Sequence, residues 1–162
     1  AAPAGGGAVT REGGNTTEAT TTSTTIVDLL TATSLSISTL GQHYQAMAAL
    51  RKSTGAADDV DIGAKVNTAI IATITARMTA ANQAEGGIWR VDGFRPSAAA
   101  YAPTVGNNLM LQVGDDSGWI SSGAIGSAPD ATVTDIIVRG NVDNALITLG
   151  ADDLHVYKWA TS

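Results

Sequence analysis

Cysteine is absent from this chain of 162 residues. Neither a disulfide framework nor a thiolate metal site is open to it, and redox chemistry leaves its compartment undecided. Aromatic residues make up only 4% and charged residues 15% of the sequence. Basic residues are the scarcer sign: nine Lys and Arg stand against fifteen Asp and Glu, a net charge of −6. That balance repels a phosphate backbone, so no nucleic acid is expected as a partner. Long apolar runs are missing too. Ala69-Ile70-Ile71-Ala72 is among the longest, far short of the roughly 20 residues that cross a bilayer as a helix, and no membrane partner is expected.

What is abundant is small. Ala occurs 28 times, Thr 21, Gly 18 and Ser 11, together nearly half the chain. Residues 1–24 carry Gly5-Gly6-Gly7, Gly13-Gly14 and Thr20-Thr21-Thr22, with Val9 the one large aliphatic. Such a segment buries too little apolar area to offset its ordering entropy, so it reads as an extended flexible arm that orders along its own domain or on a neighbouring subunit. Between residues 25 and 86 the large apolar residues recur every three or four positions. Ile26, Leu29, Leu30, Ile37, Leu40, Tyr44, Met47 and Leu50 predict a helix over about 25–52, against a brief period-two alternation at Leu35–Ser38. Ile62, Val66, Ala69, Ile70, Thr73, Ile74 and Met78 predict a second over about 60–84, with Asp58, Asp59 and Asp61 at its dipole-favoured start and Gly86-Gly87 as its stop.

Beyond residue 87 the period changes to short runs bounded by turn residues. Ile88–Val91, Leu109–Val113, Trp119–Ile120, Ala131–Val138, Ala145–Leu149 and Leu154–Trp159 predict strands, with hairpin-like connections at Gly140–Asn144 and Gly150–Asp153. The expected fold is therefore α+β: an arm (1–24), an Ala/Thr-rich helical hairpin (25–86) and a small antiparallel β-sandwich or barrel (87–162).

Chemistry-bearing constellations are weak. Gly114-Asp115-Asp116-Ser117-Gly118, with His43 and Asp92 earlier in the chain, invites comparison with trypsin-like serine proteases. Asp115, however, stands where such a loop needs glycine, and its carboxylate would oppose a developing oxyanion. Of the acidic clusters Asp58–Asp61, Asp115-Asp116 and Asp152-Asp153, the first holds a fragment of calcium-loop spacing, but Ile70 stands where the closing Glu would be; it reads as helix-start charge, and the other two as turn chemistry. His43 and His155, the only histidines, have no partner at metal-ligand spacing. Asn15-Thr16-Thr17 is a glycosylation acceptor triplet on the arm. Trp89, Trp119 and Trp159 could form a sugar-binding platform, but they read first as core or interface residues.

The expectations follow. The chain is a non-enzymatic structural subunit, with no catalytic, metal or cofactor-binding residue and no cofactor. It belongs to a particle such as a virion, as a phage capsid decoration or cement protein, and it grips itself (a homo-oligomer, trimer favoured) and a neighbouring capsid subunit through arm and helices. The expected interface residues are Val9, Ile26, Leu30, Ile37, Tyr44, Trp89 and Trp119. The alternative is an extracellular, cell-surface or pilus-type adhesive subunit that binds glycan or protein through its β-domain.

Overall fold

The computed structural model describes residues 8–37, 42–53, 58–78, 85–94, 105–113, 120–121, 126–128 and 132–159. The helices and strands named among them are all strands: β1 (Val9–Asn15), β2 (Ala19–Thr21), β3 (Val27–Ala32), β4 (His43–Lys52), β5 (Asp58–Val66), β6 (Ala69–Met78), β7 (Glu85–Phe94), β8 (Val105–Val113), β9 (Ile120–Ser121), β10 (Gly126–Ala128), β11 (Ile136–Val142) and β12 (Leu149–Trp159). Alternating burial shows why. In β4, Tyr44, Ala46, Ala48, Leu50 and Lys52 are buried, while the residues between them reach solvent. In β5, Val60, Ile62, Ala64 and Val66 are all buried. Successive side chains of a strand point to opposite faces, so a period of two gives each strand one core-facing row.

The strands pair as a nest. β5 with β6, β4 with β7, β3 with β11 and β1 with β12 are antiparallel pairs, arranged like one long hairpin closed at Asn67-Thr68. Rolling that ribbon up brings β12 against β4 and β11 against β5. Two sheets result: a larger one in the order β1-β12-β4-β7-β8-β10, with β2 added to β12 and β9 to β8, and a smaller one in the order β3-β11-β5-β6. This is a jelly roll, with β8, β9 and β10 inserted between β7 and β11. Asn67 takes the left-handed conformation (φ 53°) at the hairpin tip. Its amide oxygen accepts from the Thr134 and Asp135 N–H groups and its Nδ2 donates to the Thr132 carbonyl, tying the tip to the chain entering β11.

The α+β expectation fails at residues 25–86. Residues 25–52 contain β3 and β4, and the described part of 60–84 is β5 and β6. The three- and four-residue spacing came from counting only large side chains. Ala46 and Ala48 are fully core-facing, so the inward row of β4 steps by two and Met47 lies on the opposite face. Ile62 and Val66 face inward on β5, whereas Ile70, past the hairpin turn, is 59% exposed. Thr-rich chain also favours strands once packing decides. Residues 1–24 carry β1 and β2, both paired to β12. The strand expected over Ala145–Leu149 is mostly turn, and Gly150–Asp153 lies inside β12, where Asp153 (φ 51°) sits at an irregularity in the pairing with β4. β11 and β12 are not a hairpin: they belong to different sheets. Of the remaining strands expected after residue 87, Ile88–Val91, Leu109–Val113 and Leu154–Trp159 lie within β7, β8 and β12, Ala131–Val138 shares only Ile136–Val138 with β11, and Ile120 opens β9, Trp119 lying outside the described residues.

On the outside of the smaller sheet one carboxylate joins three strands. Asp28 of β3 accepts from Arg139 Nε of β11 at 2.7 Å and from Lys65 Nζ of β5 at 3.0 Å. Desolvation by burial pushes its carboxyl up, but the hydrogen bonds and charges of Lys65 and Arg139 together outweigh that and hold it below its ordinary value of 3.8. A depressed folded-state pKa contributes stability above the unfolded pKa, and that stability is lost as pH falls through the folded pKa. The urea midpoint of the wild type is therefore expected to exceed that of Asp28→Asn at neutral pH, with the gap closing in acid below the ordinary carboxylate range. A gap that persists unchanged into strong acid would show that the carboxylate's charge is not what ties these strands.

Candidate functional site

The core takes the inner rows of both sheets, which leaves the outer face of the larger sheet to be explained. On β12, Leu154 and Val156 are buried, while His155, Tyr157 and Trp159 point the other way and are half-buried. Period two thus lines up three rings along one strand. The His155 and Tyr157 rings lie 6.4 Å apart, centre to centre, and are tilted by 36°. Register extends the row sideways. Tyr157 stands opposite Arg11 on β1 and Gln45 on β4, and Gln45 opposite Asp92 on β7 and then Asn108 on β8. The next row runs from His155 through Met47 and Arg90 to Met110.

Beside the rings the polar groups are already assembled. Gln45 Nε2 donates to Asp92 Oδ1 at 2.8 Å, and Arg90 Nε lies 2.9 Å from Oδ2 and 3.1 Å from Oδ1 of the same carboxylate. A planar amide, a carboxylate and a guanidinium are thereby held together on the outer face. Such a cluster has little ordering left to lose when a ligand arrives. Nδ1 of His155, shielded from solvent, has no hydrogen-bond partner among the described residues.

At the far end of β4 the face dips into a cavity of about 170 Å³, lined by Glu18, Thr20, Arg51, Lys52, Ser53 and Thr148 around Gly150. Arg51 is paired with Glu18 and, at 3.3 Å, with Asp152. Arg51 and Arg90, on the outer face of β4 and β7, are thus each matched by carboxylate.

The residues singled out from the sequence are scattered. Leu30, Ile37, Tyr44 and Trp89 are at most 2% exposed and lie in the chain's own core. Ile26 is half-buried, and Val9 is 53% exposed opposite Trp159. Trp119 and the Gly114–Gly118 turn lie outside the described residues. His43, expected on a helix, opens strand β4. Asp59 and Asp61, expected at a helix start, pair across β5 and β6 with Arg77 (2.9 Å) and Thr75 (2.5 Å). Among the described residues no group of three or more His, Asp or Glu is placed to hold a metal ion.

The sequence did hold a signal for the face. Trp159 reads first as a core or interface residue, yet His155-x-Tyr157-x-Trp159 places three rings on one side of any strand. Gln45, Arg90 and Asp92 carried no such mark, because their neighbourhood is set by register between strands more than forty residues apart.

No protein-family model matches the chain, and no curated protein matches its sequence. Fold and face together define a jelly-roll domain with a ring-bearing, hydrogen-bonding outer sheet surface. The roll is shared by unrelated binding and shell-forming proteins, so function has to be argued from that surface.

Proposed function

We propose that this chain is a non-enzymatic adhesive module of the cell-surface or pilus type that holds a glycan on the outer face of its larger sheet. The grip on neighbouring subunits expected from a helical hairpin has no hairpin to make it, since β3 to β6 occupy that part of the chain. The observation that carries the adhesive reading is the alignment of His155, Tyr157 and Trp159 beside the Gln45–Asp92–Arg90 cluster. A sugar ring offers an apolar face of C–H groups and a rim of hydroxyls. Rigid aromatic rings cover the first at low entropic cost, and planar polar side chains pair with the second. Strands rather than loops carry all these groups, so the surface is fixed before binding.

Tyr157→Ala removes the central ring from a half-exposed position and leaves the core row intact. Its affinity for glycans retained by the wild type on a glycan array, measured by calorimetry, is expected to fall about tenfold or more, as for an aromatic anchor. The bound glycans are expected to be recovered chemically unchanged. Unaltered affinity in Tyr157→Ala would remove this face from recognition, and cleaved glycan would make the chain an enzyme.

A further inference from the structure

The cavity around Gly150 calls for an explanation of its own. At several other glycines backbone or a buried ring leaves no room for a side chain: a Cβ on Gly14 would run into the Leu154 carbonyl, on Gly87 it would lie 2.7 Å from the Gln112 carbonyl, and on Gly93 it would fall within the Tyr44 ring. Gly150 is different. A Cβ there would meet only ordinary contacts, at 3.5 Å from Glu18 Oε1 and from Thr20 Cγ2. Packing does not demand glycine at this position, yet its missing side chain forms part of the wall of the cavity. Across β4 the pattern repeats, for Arg51 stands between Gly150 and Gly86, and a Cβ on Gly86 would touch nothing closer than the Leu50 carbonyl at 3.8 Å.

Position links this cavity to the rings. Gly150 pairs with Arg51, His155 with Met47 and Tyr157 with Gln45. The cavity therefore lies four residues of β4 from His155 and six from Tyr157, about 13 and 20 Å along the sheet at the strand rise of about 3.3 Å per residue. Between them the outer row of β4 is the small side chain of Ala49, flanked by Asp152 and Ile88. Charge narrows the ligand further: Arg51 is already matched by Glu18 and Asp152, and the ammonium of fully buried Lys52 donates to the Ser53 carbonyl at 3.0 Å, so both cations lining the cavity are engaged before a ligand arrives.

Building on the glycan-binding reading, we propose that the Gly150 cavity is a second subsite of the same surface, so that the ligand is an unbranched, uncharged oligosaccharide running along β12 from the rings to Gly150. The two ends act together only on a chain long enough to span them.

Calorimetric titration of the intact protein with neutral linear oligosaccharides tests this, comparing β-1,4-linked glucose, β-1,4-linked N-acetylglucosamine and α-1,4-linked glucose as disaccharides and as longer oligomers, with an acidic oligogalacturonide as control. Affinity is expected to rise with length in one neutral series and to stay weaker for the acidic oligomer. Gly150→Val, which fills the cavity with a strand-compatible side chain, is expected to lower affinity for the long oligomer about tenfold and leave the disaccharide unchanged. Thr20→Gln, a longer side chain at an exposed rim position, gives the same readout without touching the core, should Gly150→Val not fold. Long-oligomer affinity unchanged in both variants but lost in Tyr157→Ala would overturn the second subsite and leave the adhesive reading standing. No affinity for any neutral series would likewise overturn the neutral linear ligand and its second subsite, whereas affinity for array-retained glycans that is indifferent to Tyr157→Ala would overturn the adhesive reading itself.

Discussion

Trp89→Ala is expected to cost about 3–5 kcal/mol of folding stability, the range for deleting a large buried ring. Trp89 is fully buried on the inner face of β7, and its Nε1 donates to the Gly63 carbonyl of β5 at 3.1 Å. The indole therefore joins the two sheets by packing and by a hydrogen bond. Trp89 stands directly opposite Ala48 on β4 and Leu111 on β8; the short side chain of Ala48 cannot reach into the space left behind. Against a typical total of about 5–15 kcal/mol, a loss of this size leaves the domain near its unfolding threshold. Trp89→Phe keeps most of the ring volume but leaves the Gly63 carbonyl without its donor, so a smaller loss is expected. Chemical denaturation followed by circular dichroism measures both. A Trp89→Ala protein of native stability that no longer associates with partners would return this residue to the interface role read from the sequence.

Gly93→Val is expected to cost up to about 3 kcal/mol, near the upper end of the usual overpacking range. Gly93 pairs with Tyr44 across β7 and β4, and the Tyr44 ring lies over it so closely that an added Cβ would fall inside the ring's atoms. Tyr44 is itself 1% exposed, so its ring can leave only by disturbing the core. The two changes should be strongly coupled. In a Tyr44→Ala background the valine substitution at Gly93 meets no ring and is expected to add little further loss, which a double-mutant cycle resolves. Additive losses would mean that the ring over Gly93 is not what makes glycine necessary there.

These two positions mark where reading from sequence stopped. Trp89 reads from the sequence as a core or interface residue, but nothing along the chain says whether an indole on a short strand meets solvent, a partner or the other sheet. Gly93 gave no sign at all, because its constraint is a ring forty-nine positions away. The β-character after residue 87 was legible because its apolar runs are short and closed by turn residues. The stretch from 25 to 86 was misread because alanine fills core positions there, and a pattern built from large residues alone imitates a helix. On the binding face, the aromatic alternation of β12 could be seen in advance, whereas the Gln45–Asp92–Arg90 cluster and the Gly150 cavity could not.

By itself the sequence determined the chain's charge, its freedom from cysteine chemistry, its small-residue character and the strand character of Ile88–Val91, Leu109–Val113 and Leu154–Trp159, since each depends on residues in place or close together. Tertiary structure alone decided that the middle of the chain is also strand, which alanines are core, and which rings share a face with which hydrogen-bonding groups. The physical reason is that a strand buries its inner row only against a second sheet. Local propensity for Ala- and Thr-rich chain is too weak to settle its conformation, and the long-range antiparallel pairing of β1 with β12, β3 with β11 and β4 with β7 settles it instead.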